Sequence, residues 1–136
     1  MIPRQARIEP LSSQELITAI TNEFGEECAR IVLDRTYITV DLAWFKTFIT
    51  KYSSVDSRKY VKESFDCDSF SFVLKGEIER LEQGLAFGLL TVKTETCYHM
   101  LNFFVAQDLT VYLMEPQSDA IFRLRDTKYI PIRYEI

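Results

Sequence analysis

The chain lacks the residues from which common metal and disulfide sites are built. It has one histidine, and its three cysteines, Cys28, Cys67 and Cys97, contain no C-x-x-C pair. A structural zinc site takes about four cysteine or histidine ligands, so one chain cannot supply the usual set. An odd number of widely spaced cysteines also argues against a disulfide framework. We therefore expect reduced thiols.

The chain also lacks a membrane-spanning run and an excess of positive charge. No apolar stretch approaches the roughly 18 residues of a membrane helix, and residues 1–7 contain no hydrophobic signal-peptide region. The net charge is −4, which gives no general attraction for nucleic acid or an anionic membrane. These absences predict a cytoplasmic protein that binds neither nucleic acid nor membrane, and they leave the oligomeric state open.

The chain does contain enough apolar sequence for a packed core. Hydrophobic residues make up 47% of the chain and aromatic residues 13%, which is typical of a globular protein. We predict one α+β domain over 1–136, helical over about 1–82 and a β-meander over about 85–136. Ser12 and Asp41 are predicted to cap two helices, and a short helix is predicted over 26–33.

A cysteine, the only histidine and a glutamate follow one another beside apolar runs. Cys67 is predicted in the first turn of a central helix, where the helix dipole and free N–H groups favour a thiolate. His99 starts one strand of a predicted hairpin and Glu115 ends the other, with the turn at Gln107 and Asp108. Both side chains should therefore lie near the open end of the hairpin. This order predicts Cys67 as nucleophile, His99 as base and Glu115 as the acid that orients it.

Two aspartates beside the thiol conflict with its predicted role as nucleophile. Asp66 and Asp68 flank the thiol, and their negative charge would raise its pKa. A calcium ion held by Asp66, Asp68 or Glu115 would offset that charge, although no metal or cofactor is certain. An oxyanion hole needs a donor besides the Cys67 N–H, and the sequence does not choose among four candidates. These are Gln5, Gln14, the Trp44 indole and an amide near Ser64.

Three motifs resemble a known family. Asp66-Cys67-Asp68-Ser69-Phe70, His99-Met100-Leu101-Asn102 and Glu115-Pro116-Gln117 resemble the D-C-D-D-F-A, H-x-x-N and E-P-Q pattern of a small papain-like group. That group is typified by the C-terminal domain of the Marasmius oreades agglutinin and also occurs in bacteria and phages.

The resemblance implies a papain-like/transglutaminase-like core, in which N-terminal helices precede a central helix that carries Cys67 and packs on an antiparallel sheet. It implies the same roles for Cys67, His99 and Glu115, with Asn102 and Gln117 as supporting residues. Calcium dependence in the agglutinin implies a calcium site. Ser69 stands where the group has its second aspartate, which departs from that pattern.

Two functions are consistent with these residues. The first is a cysteine hydrolase, most simply a peptidase, that acts on a peptide or protein through a Cys67-His99-Glu115 triad. The alternative is a non-catalytic papain-like module, such as a phage or bacterial antagonist, that holds a small ligand or a partner protein in the same cleft. In that case Trp44 and the surplus of aromatic residues would form the binding surface.

Overall fold

The computed structural model describes residues 10–52, 59–62 and 66–136. Most of the predicted N-terminal lead-in and the predicted polar connection at 53–57 lie outside the described residues. The helices in the described ranges are α1 (Ser13–Phe24), α2 (Leu42–Tyr52) and α3 (Cys67–Leu81). The strands are β1 (Leu11–Ser12), β2 (Ala29–Ile31), β3 (Thr36–Tyr37), β4 (Phe87–Lys93), β5 (Tyr98–Val105), β6 (Val111–Glu115), β7 (Ala120–Phe122) and β8 (Ile130–Glu135). None of these helices combines the length and apolar character that a bilayer crossing requires.

Side chains fix the starts of α1 and α2, as the sequence predicted. The Glu15 N–H donates to Ser12 Oγ at 3.2 Å, and the Ser12 N–H donates to the Glu15 carboxylate at 3.4 Å. This reciprocal pair is a capping box. At α2, the Trp44 N–H donates to Asp41 Oδ1 at 2.6 Å. Both predicted caps are confirmed, and each satisfies an N–H that the helix leaves unpaired.

The main sheet has six strands in the order β2-β8-β4-β5-β6-β7. All neighbours are antiparallel except β2 and β8, which are parallel. The prediction of a wholly antiparallel sheet and of a short helix over 26–33 is therefore wrong. The chain is extended there because Ile136 N donates to Ile31 O at 3.0 Å and Leu33 N donates to Ile136 O at 2.8 Å. β1 and β3 form a separate two-stranded sheet, so the first part of the chain is not purely helical.

The sheet separates two layers of buried side chains. Phe103 of β5 faces α1, where its ring meets Phe24 edge-on with centroids 5.3 Å apart. Its neighbour Phe104 faces the other way and stacks on Phe45 of α2 with centroids 3.8 Å apart. Successive residues of a strand point to opposite faces, so one strand supplies both layers. The α1 layer and the α2–α3 layer therefore hold the ends of β5 and β6 in fixed positions.

Candidate functional site

A short polar contact joins two residues of the set predicted from the sequence. His99 Nε2 lies 2.6 Å from Glu115 Oε2, and the two side chains are only 18% and 20% exposed. The Gln117 N–H donates to the other carboxylate oxygen at 3.2 Å, so both oxygens of Glu115 have a partner. Tyr129 lies beside His99. Burial is the main cause that raises the pKa of Tyr129, and the negative charge of Glu115 raises it further. The carboxylate therefore fixes the orientation of the imidazole ring.

Cys67 begins α3, where the sequence placed it, and is half-buried. Its carbonyl accepts a hydrogen bond from Ser71 Oγ at 3.0 Å. The amide of Asn102, which is buried, donates to Ser71 O at 3.1 Å and to Gly88 O at 3.2 Å. Asn102 thus ties the first turns of α3 to β4 and β5. Among the described residues, no hydrogen bond joins the Cys67 thiol to the His99 ring.

The two aspartates beside Cys67 interact with each other. Asp66 occupies the N-cap position of α3, but its side chain makes no capping hydrogen bond. A hydrogen bond between the two carboxyl groups lowers the pKa of Asp66 and raises the pKa of Asp68. Ser69 adds to the lowering of the Asp66 pKa, since its hydroxyl donates to Asp66 Oδ1 at 3.4 Å. Its N–H donates to Asp68 Oδ1 at 2.9 Å and opposes part of the rise in the pKa of Asp68. A shared proton would reduce the negative charge beside the thiol without a cation.

The structure gives no ligand set for the calcium ion that the sequence suggested. Within 10–52, 59–62 and 66–136, no group of three or more His, Cys, Asp or Glu residues is arranged to hold a metal ion. Asp66 and Asp68 are adjacent, whereas Glu115 is engaged with His99. No set of three side-chain ligands therefore supports a calcium ion at Asp66, Asp68 or Glu115 in the described residues.

The other candidates for the site lie elsewhere. Trp44 is 6% exposed and stacks on Phe48 with centroids 5.0 Å apart. It is a core residue because α2 buries two adjacent aromatic side chains, so its prediction as part of a binding surface is wrong. Gln14 is exposed on α1 and lines a different cavity. Gln5 and Ser64 lie outside the described residues.

An open groove between α1 and the turn that joins β5 to β6 was missed by sequence reasoning. Its volume of about 490 Å³ is within the usual range for small-molecule sites. The groove is lined by Gln14, Glu15, Thr18, Ala19, Asn22, Glu23, Asp108, Leu109, Thr110, Val111 and Arg123. These residues come from three separate segments, residues 14–23, residues 108–111 and Arg123, which meet only in the fold. The sequence signal was the four-residue spacing of Gln14, Thr18 and Asn22, which places them on one helix face.

Hydrogen-bonding groups and a small apolar surface share this groove. Arg123 Nη2 donates to both carboxylate oxygens of Glu23, at 3.3 and 3.4 Å. The amides of Gln14 and Asn22 form no hydrogen bond with any other described residue. Leu109 stands at the edge with a backbone φ of 69° and a side chain that is 42% exposed. The groove therefore offers unused neutral donors and acceptors beside an exposed apolar side chain.

Comparisons with known proteins give a family and a fold. A family model described as the ricin-type beta-trefoil lectin C-terminal domain matches residues 10–129. The structure of PSL1a in complex with E64 covers 93% of this chain with a TM-score of 0.82 and 19% identity. The Polyporus squamosus lectin bound to a human-type influenza-binding epitope covers 88% with a TM-score of 0.69 and 19% identity. This chain spans about half of those two chains, 51% and 48% respectively. No curated protein matches the sequence.

These matches correct the fold and the function that were drawn from the motifs. The matched family is the C-terminal domain of ricin-type beta-trefoil lectins, and one of the matched structures is described as a lectin. This overturns the α+β papain-like/transglutaminase-like core, the cysteine peptidase with its catalytic triad, and the papain-like binding module. The predicted resemblance to the C-terminal domain of a lectin is confirmed. Motifs of three to five residues specify a local arrangement, and similar arrangements occur on proteins of different function.

Proposed function

We propose that this chain, which belongs to the family of ricin-type beta-trefoil lectin C-terminal domains, binds a saccharide in the groove between α1 and the β5–β6 turn. The observation that carries the proposal is a groove of suitable size and mixed lining in a chain of a lectin family. A sugar presents hydroxyl groups around a less polar ring face. Its site therefore needs hydrogen-bonding side chains beside a small apolar surface. The P. squamosus lectin, whose structure contains the saccharide Neu5Aca2-6Galb1-4GlcNAc, supports this ligand class.

The polar wall of the groove comes from α1. Gln14, Thr18 and Asn22 are exposed and lie one turn apart along the helix. Each amide has donors and an acceptor, so it can pair with a hydroxyl in either role. The Thr18 hydroxyl donates to Gln14 O at 3.0 Å and keeps its oxygen free to accept. This wall suits a ligand with many neutral hydroxyl groups.

The apolar contact comes from Leu109. A non-glycine residue with positive φ is uncommon and stores strain of about 1–3 kcal/mol. Glycine would adopt the φ of 69° with less strain. The leucine side chain is 42% exposed at the edge of the groove. We attribute its presence to contact with the ring face of the sugar.

The experiment measures saccharide binding by this chain alone, so that no other domain can contribute. Isothermal titration with Galb1-4GlcNAc should give saturable binding. Thr18→Arg should abolish it because the longer side chain fills the groove. Thr47→Arg is the matched control: Thr47 is an exposed helical threonine whose hydroxyl donates to Ala43 O at 3.1 Å, and it lies outside the groove. Its binding should equal that of the unmodified chain.

A second variant separates binding from folding. Leu109→Gly should weaken saccharide binding while the free energy of unfolding stays equal or rises, because the strain at this position is relieved. The proposal is overturned if the chain binds no saccharide in an array that includes neutral and sialylated glycans. Unchanged binding by Thr18→Arg would overturn it as well.

The set around Cys67 remains a separate prediction. Cys67, His99 and Glu115, with Asn102 and Gln117 behind them, are proposed to form one reactive site, and no reaction is assigned to it. The contact of 2.6 Å between His99 and Glu115 supports the set. Cys28, Cys67 and Cys97 are all free thiols, which supports the predicted cytoplasmic location. The absence of nucleic-acid and membrane partners also stays a prediction.

A further inference from the structure

The loop between β7 and β8 lies on the same side of the sheet as the contact between His99 and Glu115. Successive residues of a strand point to opposite faces, so His99 shares a face with Leu101, two residues along β5. Glu115 shares a face with Leu113 of β6 in the same way. Both leucines are buried in the α1 layer, and Tyr129 of the loop packs against that layer. Tyr129 and the His99–Glu115 pair therefore occupy one face of the sheet.

The ring of Tyr129 packs beside the imidazole of His99. The two ring centroids are 6.3 Å apart with their planes at 55°, a separation at which aromatic side chains attract one another. Phe122 of β7 meets the same tyrosine edge-on, with centroids 6.5 Å apart. Burial is the main cause that raises the pKa of Tyr129, and the charges of Glu115 and Cys97 raise it further. The phenol is therefore uncharged at neutral pH and brings a neutral ring to the pair.

Hydrogen bonds within the loop fix the backbone that carries Tyr129. The Thr127 N–H and hydroxyl both donate to Leu124 O, at 2.9 and 2.7 Å. The Tyr129 N–H in turn donates to Thr127 Oγ1 at 3.1 Å. Lys128 Nζ pairs with Glu95 Oε1 at 3.0 Å, but both side chains are largely exposed, so this pair adds little. The position of the Tyr129 ring therefore follows from the turn at Thr127 and from ring packing.

We infer that Tyr129 is a positioning residue for His99: its ring covers the imidazole and, together with Glu115, holds it in one orientation. This inference rests on the predicted reactive set of Cys67, His99 and Glu115, and it is independent of saccharide binding. Glu115 contacts one ring nitrogen, Nε2, at 2.6 Å, and a single contact leaves the imidazole free to turn about it. A packed ring beside the imidazole removes that freedom, since reactive side chains keep their geometry only where packing restricts their rotation.

The chemical modification of His99 tests whether Tyr129 covers it. His99 is the only histidine of the chain, so its reaction with diethyl pyrocarbonate, followed by peptide mass spectrometry, reports on one imidazole. Tyr129→Ala should raise this rate severalfold, whereas Tyr129→Phe keeps the ring and should leave it unchanged. Tyr98→Ala is the matched control, because Tyr98 precedes His99 in β5, points to the opposite face and is 64% exposed. Its rate should equal that of the unmodified chain.

Proton NMR of the imidazole tests the ring packing directly. The circulating electrons of a neighbouring aromatic ring shift the signal of the His99 Cε1 proton, and this signal is unique because the chain has one histidine. Tyr129→Ala should move the signal and Tyr129→Phe should keep it close to its original position. Tyr129→Leu retains apolar bulk against the α1 layer without a ring. It should therefore stay folded and still move the signal, which separates ring packing from a loss of structure.

The rate at which iodoacetamide modifies Cys67 tests the positioning role. Tyr129→Ala should lower this rate severalfold, as His99→Ala does, and Tyr129→Phe should restore it. An unchanged His99 modification rate and an unmoved NMR signal in Tyr129→Ala overturn the inference. So does an unchanged Cys67 rate in Tyr129→Ala when His99→Ala lowers it. An unchanged Cys67 rate in His99→Ala overturns the reactive set and this inference together, and none of these results bears on saccharide binding.

Discussion

At the scale of single residues, two buried tyrosines differ in whether their hydroxyl groups have partners. Tyr37 Oη donates to Ile136 O at 3.1 Å and accepts from the Asp34 N–H at 3.0 Å. The Tyr134 hydroxyl is buried without a partner among the described residues. Tyr37→Phe should lower the free energy of unfolding by about 1–2 kcal/mol, because it leaves backbone groups unpaired. Tyr134→Phe should leave it unchanged or raise it by up to about 1 kcal/mol, since a buried unpaired hydroxyl is lost.

Urea unfolding of the two variants under the same conditions measures both effects. The rings and their packing are preserved, so the comparison reports on the hydroxyl groups. Equal losses of stability in Tyr37→Phe and Tyr134→Phe would contradict the assignment of partners.

The three thiols should differ in their rate of alkylation. Burial raises the pKa of Cys28 and shields it, whereas Cys97 is exposed. Cys67 is half-buried at the start of α3, where unpaired backbone N–H groups of the first turn lie close by. If it forms one site with His99, iodoacetamide near neutral pH should modify Cys67 severalfold faster than Cys97, and Cys28 last. Peptide mass spectrometry measures the three rates.

His99→Ala tests whether the histidine contributes to that reactivity. The rate at Cys67 should fall to that of Cys97 or below, and the rate at Cys97 should stay unchanged. Equally slow modification of all three thiols in the unmodified chain would remove Cys67 from the set of reactive residues.

At the scale of elements, two glycines should respond in opposite ways to alanine. A Cβ at Gly88 of β4 would meet the Glu135 carbonyl oxygen and would lie 2.8 Å from Cε1 of Phe103. Because the backbone of β8 has no room to retreat, Gly88→Ala should destabilise the protein by roughly 1–3 kcal/mol. Gly76 lies inside α3 with nothing within 4 Å of the added carbon. Gly76→Ala should stabilise the protein by about 0.5–1 kcal/mol through the lower helix propensity of glycine.

Thermal unfolding followed by circular dichroism gives both changes, and Gly76→Ala controls for the substitution itself. A loss of less than about 0.5 kcal/mol in Gly88→Ala would mean that β4 and β8 move apart easily. In that case the close approach would not be needed for the pairing of these strands.

The sequence predicted those elements that depend on contacts between near neighbours. Ser12 and Asp41 cap their helices through bonds that span three residues. The contact between His99 and Glu115 followed from the position of one turn and the lengths of two strands. Such features can be predicted because each is determined within about one turn or hairpin.

Other elements depend on distant contacts and were not predictable. The residues of β2 are all exposed and show no alternation, so their extended conformation is explained only by pairing with β8 at the other end of the chain. The groove needs α1 beside a turn almost a hundred residues later in the chain, and Arg123 to reach Glu23. The three motifs predicted the relationship to the C-terminal domain of a lectin but not the function, because short motifs specify a local arrangement that proteins of different function can share.

At the scale of the whole molecule, alkaline pH should destabilise the layer packed on α1. Cys28, Tyr37 and Tyr134 belong to this layer, and burial is the main cause that raises the pKa of each. A raised pKa in the folded state means that the folded protein binds the proton more tightly than the unfolded chain. The resulting stability is fully present below the unfolded-state pKa values and is lost as the pH rises through the folded-state values.

The ordinary pKa is 9.0 for the thiol and 10.0 for the phenols, so this contribution should be constant up to about pH 9 and should fall above it. The urea midpoint, measured from about pH 7 to pH 11, should therefore decline only in the upper part of that range. Tyr134→Phe removes one of the three titrating groups without removing its ring. The urea midpoint of this variant should fall less steeply above pH 10 than the midpoint of the unmodified chain. A variant with the same slope would show that Tyr134 ionises equally readily in the folded and unfolded states, and would leave Cys28 and Tyr37 as the groups that limit stability at high pH.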